Sequence, residues 1–222
     1  RLGRVADGNT VLDFDSEEKR RKSSVSSAIA ALEWDNTKLN IIDAPGLFDF
    51  EGGAAEAVRA AEAVLIVTSA GSGVDVGTEK AFRAAEKKGA AKFFAVTKTD
   101  SDHRNFYKTF DALKEVYGNK LCPTIIPYME GNITKCYVNL MTGMAFSYDE
   151  NGKATKVPVP EDSVIEEMTS AFMEAVATTD DALMEKFFEG EKFTKEEILK
   201  GLCIGIFDGS IYPVYAVSGL TC

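Results

Sequence analysis

Phe93-Phe94-Ala95-Val96 runs into Thr97-Lys98-Thr99-Asp100, and Leu39-Asn40-Ile41-Ile42 runs into Asp43-Ala44-Pro45-Gly46. An apolar run of this length, bounded by turn formers, reads as a buried parallel strand. A carboxylate at the end of such a strand lies at the carboxyl edge of a sheet, where open α/β folds place their ligands. The fold is therefore read as α/β, with a doubly wound, mostly parallel sheet.

Working outward, residues 25–34 and 38–42 read as strands joined by the turn Asp35-Asn36-Thr37. A helix over 52–61, a strand over 63–68, a helix over 78–88, a strand over 92–96, a helix over 105–117 and a short strand over 124–126 follow. Thr78 is the expected N-cap of the second helix and Gly89 its stop. This alternation implies parallel strands with helices on both faces. The character changes after Pro127: 133–138 and 144–148 read as a hairpin-like pair, with a turn at 149–152 and an extended segment over 157–160. Helices over 163–176, 180–188 and 194–206 come next, with Ser163/Glu166 and Thr194/Glu197 as expected capping boxes. A last strand over 212–217 ends in Ser218-Gly219-Leu220.

The two motifs carry complementary chemistry. In a DxxG turn the aspartate can hold hydrated Mg²⁺, and the glycine offers a backbone N–H to a γ-phosphate. In a KxD turn the carboxylate accepts two hydrogen bonds, from N1–H and the exocyclic amine of guanine, a donor pair that adenine lacks. The lysine lays its aliphatic stem along the ring. Backbone N–H groups of Ser218-Gly219-Leu220 can face guanine O6. Taken singly, each motif also reads as a plain turn or a solvated loop. Their joint order favours a guanine-nucleotide site, and the long gap between Asp100 and Ser218 then requires an insertion. The block over 129–207 lies in that gap. The expected division is a core over 1–128 and 208–222 with an inserted α+β subdomain over 129–207.

Composition narrows the classes. Over 222 residues, 45% hydrophobic and 27% charged content is ordinary for a soluble globular protein, and no apolar run reaches the roughly 18 residues of a membrane span. The net charge of −10 argues against general, phosphate-driven nucleic-acid binding, DNA included, while leaving docking on a nucleoprotein through a local patch open. The basic cluster Lys19-Arg20-Arg21-Lys22 reads as a solvated loop, or as a mobile segment near phosphates. Four cysteines without metal-ligand spacing and a single histidine, His103, speak against zinc and for a reduced, cytoplasmic protein. Arg1 is not an initiator methionine, so the chain reads as a fragment.

Asp43-Ala44-Pro45-Gly46 with Asp49-Phe50 resembles the DTPGHxDF second switch of translational GTPases, and Thr97-Lys98-Thr99-Asp100 resembles their NKxD. Asp180 through Lys186 resembles a segment of the subdomain inserted in elongation factor G, and Pro213-Val214 before Ser218 fits the same family. Glu17 through Val25 resembles the approach to and end of the first switch. The resemblance to the GTPase domain of elongation factor G spans essentially the whole chain and implies a P-loop-type G domain. It implies GTP or GDP with Mg²⁺ as ligands, Asp43, Pro45, Gly46, Thr97, Lys98, Asp100, Ser218, Gly219 and Leu220 as nucleotide-binding residues, and Ser24 and Asp43 as metal ligands. The partner it implies is the ribosome, through large-subunit rRNA and, by the insertion, the stalk protein.

Three departures stand out. The given residues hold no GxxxxGK followed by Ser or Thr, which in the family lies upstream of the position of Arg1, so the core lacks its N-terminal strand and P-loop. Leu47 stands where the family has the His that positions attacking water beside Gly46. Thr97 replaces the Asn of NKxD. The expected activity is ribosome-dependent GTP hydrolysis that drives a conformational switch in translation. The alternatives are a nucleotide-gated ribosome-binding factor with little hydrolysis, or a ribosomal protection protein of the tetracycline-resistance type.

Overall fold

A computed structural model describes residues 3, 7–100, 105–149 and 152–219. The chain forms two compact units, Arg1–Val64 with Glu79–Ala90, and Leu65–Thr78 with Ala91–Cys222.

The first unit opens on helix α1 (Ser16–Arg21), where the sequence suggests a solvated loop. Asp15 and Glu18 form a capping box, with acidic residues in the first turn and basic ones in the last, so the cluster that reads as a loop complements the helix dipole instead. Strands β1 (Ala28–Trp34) and β2 (Thr37–Asp43) form an antiparallel two-stranded sheet, with Trp34 opposite Thr37 and Ala28 opposite Asp43. This corrects the reading of Leu39-Asn40-Ile41-Ile42 as a buried parallel strand. Asp35 and Asn36 both take positive φ, 46° and 58°, and a two-residue turn of that kind can only join antiparallel neighbours. Trp34 is 74% exposed, and Leu39 and Ile41 are also exposed. Helix α2 (Glu51–Ala60) follows a short 3₁₀ turn at Phe48–Phe50.

The second unit is built on a seven-stranded sheet of order β3-β4-β9-β5-β6-β7-β8. Its strands are β3 (Ala63–Ser69, entering the unit at Leu65), β4 (Ala91–Thr97), β5 (Leu121–Glu130), β6 (Ile133–Asn139), β7 (Met144–Tyr148), β8 (Ala154–Val157) and β9 (Tyr212–Ala216). β9 lies parallel to both β4 and β5, whereas β5 through β8 form an antiparallel run. The fold is α/β, and the strands between 129 and 207 extend the same sheet. β5 is longer than the short strand its sequence suggests. Its register against β9 shifts between Pro123 and Ile125, which leaves Thr124 as an extra residue next to a proline that cannot donate to the ladder.

Helices α3 (Val76–Lys88, continuing into the first unit from Glu79), α4 (Phe106–Tyr117), α5 (Ser163–Ala177), α6 (Asp181–Phe188) and α7 (Lys195–Asp208) complete the chain. Their caps are side-chain acceptors. Asn105 Oδ1 accepts from Tyr107 N and Lys108 N, and Thr194 with Glu197 forms the expected capping box. Two caps differ from expectation. Asp75 Oδ1, not Thr78, accepts at the start of α3, taking bonds from the Thr78 N–H and hydroxyl at 2.7 and 2.8 Å. Asp162, not Ser163, caps α5, because its carboxylate accepts from Val164 N. In both cases an upstream carboxylate, three residues before Thr78 and one before Ser163, takes the place of the hydroxyl.

The core of this unit is apolar: Phe94, Val96, Phe106, Leu113, Ile126, Phe172, Val176 and Val214 are fully buried. A Cβ at Gly205 would stand 2.6 Å from Ile211, so glycine lets α7 close onto the entry to β9. Among the described residues no helix is long and apolar enough to cross a membrane.

Candidate functional site

In the first unit, Asp43 ends β2 and is half-buried, followed by buried Pro45 and exposed Gly46 and Leu47. Pro45 packs against the start of α2, where a Cβ on Gly53 would meet Pro45 Cγ at 3.4 Å and Ser27 Oγ at 3.1 Å. Ser27 Oγ donates to the Gly53 carbonyl at 3.1 Å, so the segment after α1 is tied to the helix that follows the DAPG turn. Burial raises the Asp43 carboxyl above the usual range, and the charges of Asp13 and Glu18 raise it further. A carboxylate held in an anionic, partly dry environment suits a cation.

Ser24 Oγ donates to Asp13 Oδ1 at 2.8 Å. With its one proton engaged there, its lone pairs remain as acceptors or metal ligands. Ser24 and Asp43 therefore fit the donor set expected for Mg²⁺, a hard cation that takes oxygen ligands. Among the described residues no group of three or more His, Cys, Asp or Glu is arranged to hold a metal by itself.

The loop that presents Ser24 is held by Glu18, which is 2% exposed. Its Oε1 accepts from Val25 N and Ser26 N, and its Oε2 from Asp15 N, each at 3.1 Å. These backbone donors, that of Val25 first, hold its carboxyl below the usual range. Two residues of the basic cluster are engaged. Arg20 and Arg21 both bond Glu17, holding its carboxyl down to about 2, and Arg21 also lies over the Phe50 ring at 5.8 Å. A polar cleft of about 500 Å³ runs between Ser26, Ser27, Asp49 and Gly52.

In the second unit, Thr97 ends β4 and Ala216 ends β9, with Val96 opposite Ala216 in parallel register. Val217 N donates to the Val96 carbonyl at 2.9 Å, so both motifs leave the sheet by the same edge. Thr97 Oγ1 donates to the Thr68 carbonyl at 3.2 Å, and the Thr97 carbonyl accepts from Ala70 N at 2.9 Å. Lys98 is exposed, with φ +60°, a left-handed conformation uncommon outside glycine and asparagine. That turn sends Thr99 inward, where it is 1% exposed, and leaves Asp100 half-buried. Ser218 is buried and Gly219 is exposed in open space. Leu220, expected beside them, lies outside the described residues.

The structure thus gathers Thr97, Lys98, Asp100, Ser218 and Gly219 at one sheet edge, and holds Ser24, Asp43, Pro45, Gly46 and Leu47 in the first unit. Sequence reasoning missed Thr99. Its Oγ1 lies 2.8 Å from Tyr137 Oη and donates to the Val217 carbonyl at 3.1 Å. Thr134 Oγ1 donates to its carbonyl at 2.8 Å. Only a hydroxyl at the variable position of KxD hinted at this role.

Residues 2–222 match the family model of the elongation factor Tu GTP binding domain. The chain belongs to that family. It is similar to proteins called elongation factor G-like protein in two strains of Mycobacterium tuberculosis, CDC 1551 / Oshkosh and ATCC 25618 / H37Rv. Identity to each is 31% over 224 residues, covering all of this chain and 31% of theirs. A crystal structure of a Thermus thermophilus protein matches with a TM-score of 0.89 at 33% identity, covering 99% of this chain and 33% of that one. The chain spans about a third of the length of the relatives it matches. Membership brings guanine-nucleotide binding with it, and the α/β architecture is that of a G domain.

Proposed function

We propose that the protein bearing this chain is an elongation-factor-G-like translational GTPase, which binds GTP with Mg²⁺ and hydrolyses it on the ribosome to drive a conformational switch. The observation that carries this reading is the shared sheet edge of Thr97-Lys98-Thr99-Asp100 and Ser218-Gly219, locked by the Thr99–Val217 hydrogen bond. That arrangement suits guanine: Asp100 accepts from N1–H and the amine, Lys98 covers the ring, and the Ser218 and Gly219 backbone addresses O6. Asp43 and Ser24 hold the metal. Gly46 senses the γ-phosphate, and its loss on hydrolysis releases both switch segments.

The core is 1–128 with 208–222, and 129–207 is an accessory docking subdomain. In that block an apolar groove of about 580 Å³ lined by Val159, Ile165, Met173, Phe187 and Phe193 carries the acidic residues Glu161, Asp162, Glu166 and Glu191. Such a face suits the ribosomal stalk protein, with rRNA of the large subunit as the second ribosomal contact. The protein works in the cytoplasm.

The test is GTP turnover by the intact protein with and without ribosomes. Stimulation supports the reading; no stimulation at saturating ribosomes sinks the enzyme. Leu47 favours a second reading, a nucleotide-gated ribosome-binding factor with little hydrolysis, because an exposed leucine cannot orient water by hydrogen bonding. Ribosome binding that responds to GTP but yields no phosphate would select it.

A further inference from the structure

Thr99 is joined to β6 twice, and the second partner has no counterpart in the site as read from its motifs. The Thr99 hydroxyl has one proton and two lone pairs. That proton goes to the Val217 carbonyl, which can only accept, so in the 2.8 Å contact the Tyr137 phenol must be the donor. Three residues earlier on the same strand, Thr134 Oγ1 donates to the Thr99 carbonyl at 2.8 Å.

In a regular strand, residues three apart point to opposite faces. Here the register against β5 slips, because Cys136 pairs with Tyr128 but Thr134 pairs with Met129. Lys135 is therefore an extra, bulged residue, and the bulge turns Thr134 and Tyr137 to the same side. The Tyr137 ring is fixed in turn by an edge contact with Tyr148 of β7, centroids 5.9 Å apart at 75°. Tyr137 is buried with Thr99, where an unmade hydrogen bond costs more than at the surface.

We propose that Tyr137, placed by the Lys135 bulge, is a positioning residue for base recognition. It fixes Thr99, so that Lys98 and Asp100 on either side are held in the geometry that reads guanine. Specificity at the sheet edge is then set partly from β6, a strand outside the nucleotide-binding motifs. This rests on the guanine-binding reading above.

The experiment compares GDP with IDP, whose base lacks the exocyclic amine, in the intact protein with Mg²⁺, for wild type, Tyr137→Phe and Thr134→Val. Wild type binds GDP about tenfold more tightly than IDP, the worth of one hydrogen bond to a carboxylate. In Tyr137→Phe that preference falls by about threefold or more, through weaker GDP binding with IDP little changed, and Thr134→Val moves it the same way. Equal weakening of both ligands, or an unchanged ratio in both variants, overturns the positioning role. If wild type shows no GDP binding, the guanine reading falls as well.

Discussion

The Thr99 hydroxyl donates to the Val217 carbonyl at 3.1 Å, across a sequence separation of 118 residues. Thr99 is buried, and the Tyr137 phenol faces the same oxygen. Replacing Thr99 by valine keeps the shape and removes the oxygen, leaving the phenol and the carbonyl without that partner. The expected cost is about 1–3 kcal/mol of unfolding free energy, the penalty for stranding buried polar groups. Denaturant titration of Thr99→Val against wild type measures it; a loss of unfolding free energy smaller than about 0.5 kcal/mol, as at an ordinary surface site, would mean the loop is held by other means.

Asp100 is half-buried and follows Thr99 directly in the chain. Asparagine at this position offers one acceptor and two donors instead of two acceptors. Asp100→Asn should weaken GTP about tenfold or more, given that hydrogen bonds to charged groups are each worth about 1.5–3 kcal/mol. It should improve XTP, whose base carries a carbonyl in place of the amine. Competition binding with the two nucleotides reads the inversion. Parallel loss of both would show that Asp100 supports the loop without touching the base.

Glu197 closes the capping box of α7 and pairs with Lys186 at 2.6 Å. The Lys186 hydrogen bond and the Thr194 backbone N–H hold its carboxyl below the usual range. A group with a depressed folded pKa stabilises the protein above its unfolded pKa, and that contribution is lost as pH falls through the folded value. Melting temperature should therefore drop on the acid side with a component that Glu197→Gln removes, since glutamine can still accept from Thr194 N but does not titrate. Thermal melts of the two proteins across the acidic range make the comparison; superimposable acid limbs would show that the pair adds nothing.

The edge that carries Thr97 through Asp100 was legible because Phe93 to Val96 is an apolar run closed by turn formers, and burial of Phe94 and Val96 makes that pattern obligatory. The same rule failed at Leu39 to Ile42, since an apolar run does not state which neighbour it pairs with, and the positive φ of Asp35 and Asn36 decided for β1. Capping was legible at Thr194 but misplaced at Thr78 and Ser163, where an upstream aspartate was the better acceptor. The partners of Thr99 were invisible. A hydroxyl becomes an anchor only once β9 and the bulged β6 arrive from distant sequence, and neither leaves a local signature.

Leu47 follows Gly46 directly and is 48% exposed. A side chain with this much solvent around it is not packing the core, so its replacement falls within about 0.5 kcal/mol of neutral for folding. An imidazole there can accept from water and hold it in line with a phosphorus atom, which a leucine cannot do. If the missing hydrogen bond limits hydrolysis, Leu47→His should raise ribosome-stimulated turnover by about 10²-fold or more, the scale of a positioned proton-accepting group. Leu47→Met, which changes shape without adding an acceptor, should leave turnover where it was. Phosphate release under saturating GTP and ribosomes distinguishes the cases. Equal rates for all three proteins would place the limiting step away from the attacking water, and would favour a factor whose work is done by binding.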